Sequence, residues 1–249
     1  MSGVFRVAGE AYDDFMGRYS MRLAPLFAEF AGVGEGMRVL DVGAGTGALS
    51  GELLRRGATV AAAEPSPEFC EALRSRYPEL AVHEAPAEQL PFEADSFDAA
   101  LAQLVVAFMA DAPRAVREMA RVAHTVAVCM WGINEVEMFA AIERTAQAVG
   151  ASHGEQGARA YRTLDELVAL LQPLGEVETG TLDVTASYAD YAEFWRALSR
   201  QVGPAGAWLS ALDDDQRARA HDELRTQLGS PDGAFELRGR AFAVKFTRA

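Results

Sequence analysis

Lysine is almost absent from this chain: of its 23 basic residues only Lys245 is one, a bias read as the coding habit of a GC-rich genome rather than as function. Positive charge is also in deficit. Thirty-six acidic residues leave a formal net charge of −13, the wrong sign for a surface that grips nucleic-acid phosphates. Cysteine is scarce. Cys70 and Cys129 are too few for a disulfide framework and lack the C-x-x-C spacing of a zinc site, so both are expected as small buried hydrophobes. Long apolar runs are missing too: the longest, near residues 104–110, falls far short of the roughly 18 residues that span a bilayer. The first ten residues already carry acid and no hydrophobic core, which excludes a signal-peptide reading. These absences lead us to expect a soluble, cytoplasmic protein with no nucleic-acid partner, no metal and no membrane insertion.

What remains is an ordinary globular composition, half hydrophobic and 24% charged, over 249 residues. The informative stretch is 39–47, V-L-D-V-G-A-G-T-G. Apolar residues around Asp41 read as a short buried strand, and residues 48–56 have helical character. Glycines 43, 45 and 47 let the backbone between them turn sharply and approach a ligand closely. A glycine loop between a strand and a helix N-terminus presents free N–H groups, a ready site for a nucleotide-like ligand. Two patterns fit. Gly43-x-Gly45-x-x-Ala48 matches the dinucleotide fingerprint, with Glu64 placed for a ribose. Asp41 and the third glycine at 47 fit the other, D-x-G-x-G-x-G.

Around the loop, strands and helices alternate. A helix is expected at 23–31, strands at 58–63, 80–83, 97–101 and 125–131, and helices at 67–77, 113–122 and 135–149. Ser66 followed by Pro67 marks a helix start, and Thr163-x-x-Glu166 a capping box opening a helix to 172. The run 125–131 suits a central strand buried on both faces. Residues 176–185 and 235–247 alternate like strands, each closing a sheet edge; 187–228 reads as a helical insertion. The fold expected is α/β: a doubly wound, mostly parallel, seven-stranded Rossmann-like sheet with helices on both faces. It forms a single domain over 1–249, with an N-terminal helical lid at 1–36 and a helical cap insertion at about 187–230. Tyr188, Tyr191, Phe194 and Trp195, at i, i+3, i+6 and i+7, are expected on one helical face, as core or as a lining of the substrate site.

D-x-G-x-G-x-G resembles motif I of class I S-adenosylmethionine-dependent methyltransferases, whose loop wraps the aminoacyl end of the cofactor. The likeness extends to A-E-x-L-P-F at 87–92 and S-F-D at 96–98, and to Y-D-x-x-x-G-R-Y-S at 12–20, as in the branch similar to the ubiquinone-biosynthesis C-methyltransferases. It is good from Tyr12 to Val122 and topological beyond. The resemblance implies S-adenosyl-L-methionine as cofactor, held by Asp41, Gly43, Ala44, Gly45 and Gly47, with Glu64 on the ribose hydroxyls. It implies Pro65, Ala87 and Glu88 around the adenine, Gln103 toward the methionine moiety, and Arg18 on the cofactor carboxylate. The sequence departs from the family twice. Pro86, which offers neither carboxylate nor N–H, stands where an Asp is usual, and Ala123-His124-Thr125 replaces a glycine-rich turn.

Transfer of a methyl from a sulfonium needs an aligned nucleophile and a dry site, and a base only if the nucleophile must lose a proton. No catalytic base stands out; His153, His221, Tyr12 and Tyr19 are the candidates, each with a structural role as the alternative. The reading is thus a methyltransferase acting on a small, apolar or aromatic molecule, with C- and O-methylation both open. Its rivals are a non-catalytic binder of the same cofactor and an NAD(P)-dependent oxidoreductase. Macromolecular substrates are disfavoured by the acidic charge and by Ala102-Gln103-Leu104-Val105 where an N-P-P-Y-like tetrapeptide would stand.

Overall fold

The computed structural model describes residues 13–151, 160–200 and 203–248. After a π-turn at Asp13–Gly17, helix α1 (Arg18–Phe30) leads to β1 (Arg38–Val42), α2 (Ala48–Arg55), β2 (Thr59–Glu64), α3 (Pro67–Arg76), β3 (Ala81–Glu84) and β4 (Phe97–Gln103). Then come α4 (Ala112–Val122), β5 (Ala123–Val136), α5 (Glu137–Ala148), α6 (Leu164–Leu171) and β6 (Val177–Tyr188). Helices α7 (Tyr191–Leu198), α8 (Gly203–Ala211) and α9 (Asp214–Gln227) precede β7 (Phe235–Thr247).

The seven strands form one sheet in the order β3-β2-β1-β4-β5-β7-β6. Pairs β3/β2, β2/β1, β1/β4 and β4/β5 are parallel. The order reverses beside β1, and in open α/β sheets ligands bind outside the carboxyl ends of the strands at such a point, here β1 and β4. Register sets what meets there: Asp41 lies opposite Ala62 on one side and Leu101 on the other, while Gln103 lies opposite Cys129.

Local chemistry accounts for the element boundaries. The Ser66 hydroxyl accepts from the Phe69 N–H at 3.3 Å, with Pro67 in the first turn, and the Thr163–Glu166 capping box is formed. Asp111 caps α4, whose Ala112, Ala115, Val116, Met119 and Val122 make one buried face. They pack with Leu40, Val42, Ala100, Ala102, Val126 and Val128 in the main core. Both cysteines are buried and free, Cys70 in α3 and Cys129 in β5.

Four expectations are corrected. β7 lies between β5 and β6, so only β6 forms that edge of the sheet. β6 also runs on to Tyr188, because burial keeps its period of two through Leu182, Val184, Ala186 and Tyr188. Tyr188 therefore shares no helical face with Tyr191, Phe194 and Trp195. Likewise Glu135 and Val136 extend β5, and the following helix starts at Glu137.

By backbone contacts the chain divides into two units. One comprises Ser20–Ile133, Ala158–Asp183 and Arg240–Ala249; the other comprises Met1–Tyr19, Asn134–Gly157 and Val184–Gly239. The segment 1–36 thus changes unit after Tyr19. Among the described residues no helix is long and apolar enough to cross a membrane.

Candidate functional site

The glycine loop follows β1 directly, and its three glycines have different reasons to be glycine. All have positive φ: +70° at Gly43, +56° at Gly45 and +88° at Gly47. A Cβ on Gly43 would stand 2.5 Å from Val105 Cγ2, and one on Gly47 would stand 2.7 Å from both Leu73 Cδ2 and Tyr77 Cε2. Those two positions are closed by the protein itself. A Cβ on Gly45 would meet nothing within 4 Å. Gly45 is the point where the loop faces open space and a ligand has room to approach.

Backbone bonds fix the loop's course. The N–H of Gly43 donates to the Ala63 carbonyl at 2.7 Å and that of Gly47 to the Ala44 carbonyl at 2.9 Å. Gly45 N–H donates to Glu64 Oε2 at 2.9 Å, and Ser66 N–H to Glu64 Oε1 at 2.9 Å. Glu64 is only 5% exposed. Burial raises its carboxyl above the ordinary range, and the two N–H donors pull it part of the way back. Each carboxylate oxygen keeps a further lone pair for a ligand hydroxyl.

Asp41 reaches the site through a different partner. Ser50, in the first turn of α2, donates its hydroxyl to Asp41 Oδ2 at 2.6 Å, and its backbone adds a second bond. The carboxylate thus satisfies the start of a helix that has no side-chain cap of its own. Burial pushes Asp41 up to about 7, opposed by the Ser50 bonds and reinforced by the charge of Glu64. Sequence reasoning passed over Ser50, although a serine nine positions after the acid and inside the first helical turn was visible.

At the carboxyl end of β4, Gln103 Nε2 donates to the Ser20 carbonyl at 3.1 Å. Its Oε1 is buried and accepts no hydrogen bond from the described residues. An acceptor left in that state costs about 1–3 kcal/mol, which a ligand N–H would recover. Leu104, next in the chain, has φ +61°, and Val105 then closes over Gly43. Gln103 and the glycine loop are therefore joined through Val105, which the sequence did not single out.

The second expected motif divides into site and scaffold. Ala87 is buried, Pro65 and Pro86 are exposed, and Glu88 Oε1 accepts from the Asp111 N–H at 2.9 Å. Leu90 N–H donates to Glu118 at 3.3 Å, while Arg121 donates to the carbonyls of Phe92 at 2.8 Å and Leu90 at 3.1 Å. Asp98 accepts from the Arg38 N–H at 2.7 Å, which ties β4 to the start of β1. These acids and arginines hold the backbone of 90–92 and the strand starts.

Arg18 belongs to the other unit, where its guanidinium is engaged. It donates to Glu193 at 2.5 Å and to the carbonyls of Ser187 and Asp14 at 3.0 and 2.9 Å, and lies 4.9 Å from the Tyr188 ring centroid. Glu193 is 175 positions away, which is why the sequence did not announce it. Tyr19 is fully buried, and burial beside Tyr188 raises its hydroxyl well above the ordinary phenol range, unsuited to a base near neutrality. His221 stands edge-on to Tyr191 and Trp195, with Nδ1 2.9 Å from Asp222. Tyr12 and His153 lie outside the described residues.

Comparison with known proteins bears on the same region. The family described as "Methyltransferase domain" matches residues 40–129, which contain the glycine loop, Glu64, Ala87, Glu88 and Gln103. An uncharacterized protein of Mycobacterium tuberculosis is 36% identical over 116 residues, covering 44% of this chain and 42% of its own. An uncharacterized methyltransferase of the same organism is 41% identical over 85 residues, covering 34% of this chain and 35% of its own. The chain thus spans less than half the length of these curated relatives. Among solved structures, a putative type II methyltransferase from Anaeromyxobacter dehalogenans superposes with a TM-score of 0.66 over 90% of this chain and 95% of that one, at 20% identity. That identity speaks for the fold alone. Strand order, glycine loop and family match agree over one region: residues 40–129 match the methyltransferase domain, within a fold shared with solved methyltransferase structures.

Proposed function

We propose that this chain transfers a methyl group from S-adenosylmethionine to a small apolar or aromatic molecule. The observation that carries the cofactor assignment is the pairing of Gly45, the open glycine, with the buried carboxylate of Glu64. In this reading Glu64 accepts from the ribose hydroxyls, and Gly45, flanked by Gly43 and Ala44 in the same loop, leaves room for the aminoacyl end. Gln103 Oε1, buried with no donor among the described residues, takes an N–H of the cofactor. Pro65, Ala87 and Glu88 border the adenine. Asp41 acts through Ser50, as the anchor of α2. Gly47 shapes the loop against Leu73 and Tyr77. Arg18 is left out of this set because Glu193 and Ser187 hold its guanidinium. When bound, the cofactor supplies an electrophilic methyl on a sulfonium, displaced in line by the acceptor's nucleophile.

The acceptor class rests on two features. The net charge of −13 opposes a polyanionic substrate, and Phe108, in the short turn after β4, keeps 42% of its surface exposed. Tyr188 at the end of β6 stacks on Phe235 of β7 at 5.4 Å and meets Phe194 of α7 edge-on at 5.1 Å, so these rings pack on one another.

Calorimetric titration with S-adenosylhomocysteine, with NADH as competitor, tests the cofactor. Micromolar binding that Glu64→Ala weakens is expected; no binding, or preference for NADH, removes the reading. Incubation with methyl-labelled S-adenosylmethionine and a panel of phenols, quinols and aliphatic amines then tests turnover. Binding with no labelled product across the panel favours the non-catalytic alternative.

A further inference from the structure

The last turn of α3 lies behind the glycine loop. Arg76 Nη1 donates to the Thr46 carbonyl at 2.9 Å. Tyr77, the next residue, fills the space that two glycines leave. A Cβ on Gly47 would stand 2.7 Å from its ring, and one on Gly51 would stand 2.2 Å from its hydroxyl oxygen. Gly47 and Gly51 are one helical turn apart, so together they make a groove along the start of α2 in which the phenol ring lies.

Peptide geometry gives these contacts a consequence. The carbonyl of Thr46 and the N–H of Gly47 belong to one planar trans peptide and point in opposite directions. With the carbonyl held by Arg76, the Gly47 N–H is directed to the Ala44 carbonyl, which it meets at 2.9 Å. That bond closes the turn whose apex is Gly45, and the Gly45 N–H is in turn directed to Glu64 at 2.9 Å. Arg76 is an exposed side chain at a helix end, yet it fixes a peptide plane inside the candidate site.

We propose that Arg76 and Tyr77 are positioning residues of the cofactor loop, which hold the turn around Gly45 in the shape that receives the aminoacyl end of the ligand. The inference rests on reading this loop as the S-adenosylmethionine site. Without Arg76 the Thr46–Gly47 peptide loses one of the hydrogen bonds that set its orientation, and the ligand must supply part of that order on binding. The loss falls on ligands that contact the loop and spares those that contact only the nucleoside side.

The experiment compares S-adenosylhomocysteine with 5′-methylthioadenosine, which keeps the nucleoside and lacks the aminoacyl end. Both are titrated calorimetrically into the unsubstituted chain, Glu64→Ala, Arg76→Gln, Arg76→Lys and Tyr77→Leu. Arg76→Gln should weaken S-adenosylhomocysteine about tenfold, the scale of one charge-assisted hydrogen bond, and 5′-methylthioadenosine less than about twofold. Arg76→Lys, which keeps a donor, should recover part of the loss. Tyr77→Leu should show the same selectivity; if it does not fold, the Arg76 pair decides. Unchanged S-adenosylhomocysteine affinity in Arg76→Gln, with Glu64→Ala weakened, overturns this inference alone. Equal loss of both ligands in Arg76→Gln also overturns it, as general damage to the fold. No S-adenosylhomocysteine binding by the unsubstituted chain overturns the reading of the site, and the inference with it.

Discussion

The glycine loop at 43–47 and the segment at 88–98 both carry family-like residues, but they use those residues in opposite ways. In the loop, side chains are removed: Gly43 makes way for Val105, Gly47 for Leu73 and Tyr77, and Gly45 for open space. In the second segment the charges are turned onto the protein's own backbone. Asp98 binds the Arg38 N–H and Glu88 the Asp111 N–H, while Glu118 and Arg121 of α4 bind Leu90 and Phe92. Motif residues are therefore of two kinds. Some leave room for a ligand, and others fix the frame around that room.

Substitutions at five positions would break or sharpen this contrast. The largest effect is expected inside the loop, between two of its glycines. Gly43→Ala forces a Cβ to within 2.5 Å of Val105 at φ +70° and should cost about 3 kcal/mol of stability. Gly45→Ala meets only the backbone strain, about 1 kcal/mol, and should lose ligand binding while keeping most of its melting temperature. Equal destabilisation of the two variants in urea melts would remove the distinction between closed and open glycines.

Next is Glu64. Glu64→Ala should weaken S-adenosylhomocysteine by about 1–3 kcal/mol, with Glu64→Gln intermediate, in a binding isotherm at neutral pH. An unaltered isotherm for the alanine variant would take Glu64 out of the site.

Asp41 gives a pH dependence of definite sign. Its folded value of about 7 lies above the unfolded value of 3.8, so the native state binds the proton more tightly than the unfolded chain. The stabilising contribution is complete below the unfolded value and is lost as pH rises toward 7. Glu64, also raised by burial, acts in the same direction. Between pH 4 and pH 7.5 Asp41 should withdraw roughly 3–4 kcal/mol, and Asp41→Asn should lose correspondingly less stability over that interval. Parallel pH profiles for the two proteins would show that Asp41 titrates as an ordinary surface acid.

The smallest effect belongs to the frame. Arg121→Ala removes bonds to Leu90, Phe92 and Glu118 from a partly exposed position, and should cost about 1 kcal/mol. The affinity of the folded protein for S-adenosylhomocysteine should stay within about twofold. A larger affinity loss than stability loss would move Arg121 from the frame to the site.

Much of this was legible because it depends on neighbours in sequence. The strand–loop–helix unit around Asp41, the caps at Ser66 and Thr163 and the buried run of β5 all follow from local periodicity and local hydrogen bonds. The end of β6 was misread because 176–185 already satisfied a strand of ordinary length, although alternate burial runs on to Tyr188. Position in the sheet was less accessible still. Nothing in 235–247 records that β7 would lie between β5 and β6, since that neighbour relation joins strands far apart in the chain. Arg18 shows the same limit at a single side chain. Its charge was visible, but its partner Glu193 is set by the fold.

The sequence by itself determined the α/β alternation, the place of the glycine loop and the likeness of residues 40–129 to a methyltransferase domain. Those depend on spacing along the chain: a strand, three glycines that tolerate positive φ, and a helix start with unpaired N–H groups. Tertiary structure decided which glycine is open, which carboxylate faces the loop and which anchors a helix, and what holds Thr46, Gln103 and Arg18. Each of those answers is a contact between residues brought together from separate elements. Tyr77 against Gly51, Val105 against Gly43 and Ser20 against Gln103 depend on close packing and on burial that leaves few polar groups unmatched. Neither condition is written in the order of the residues.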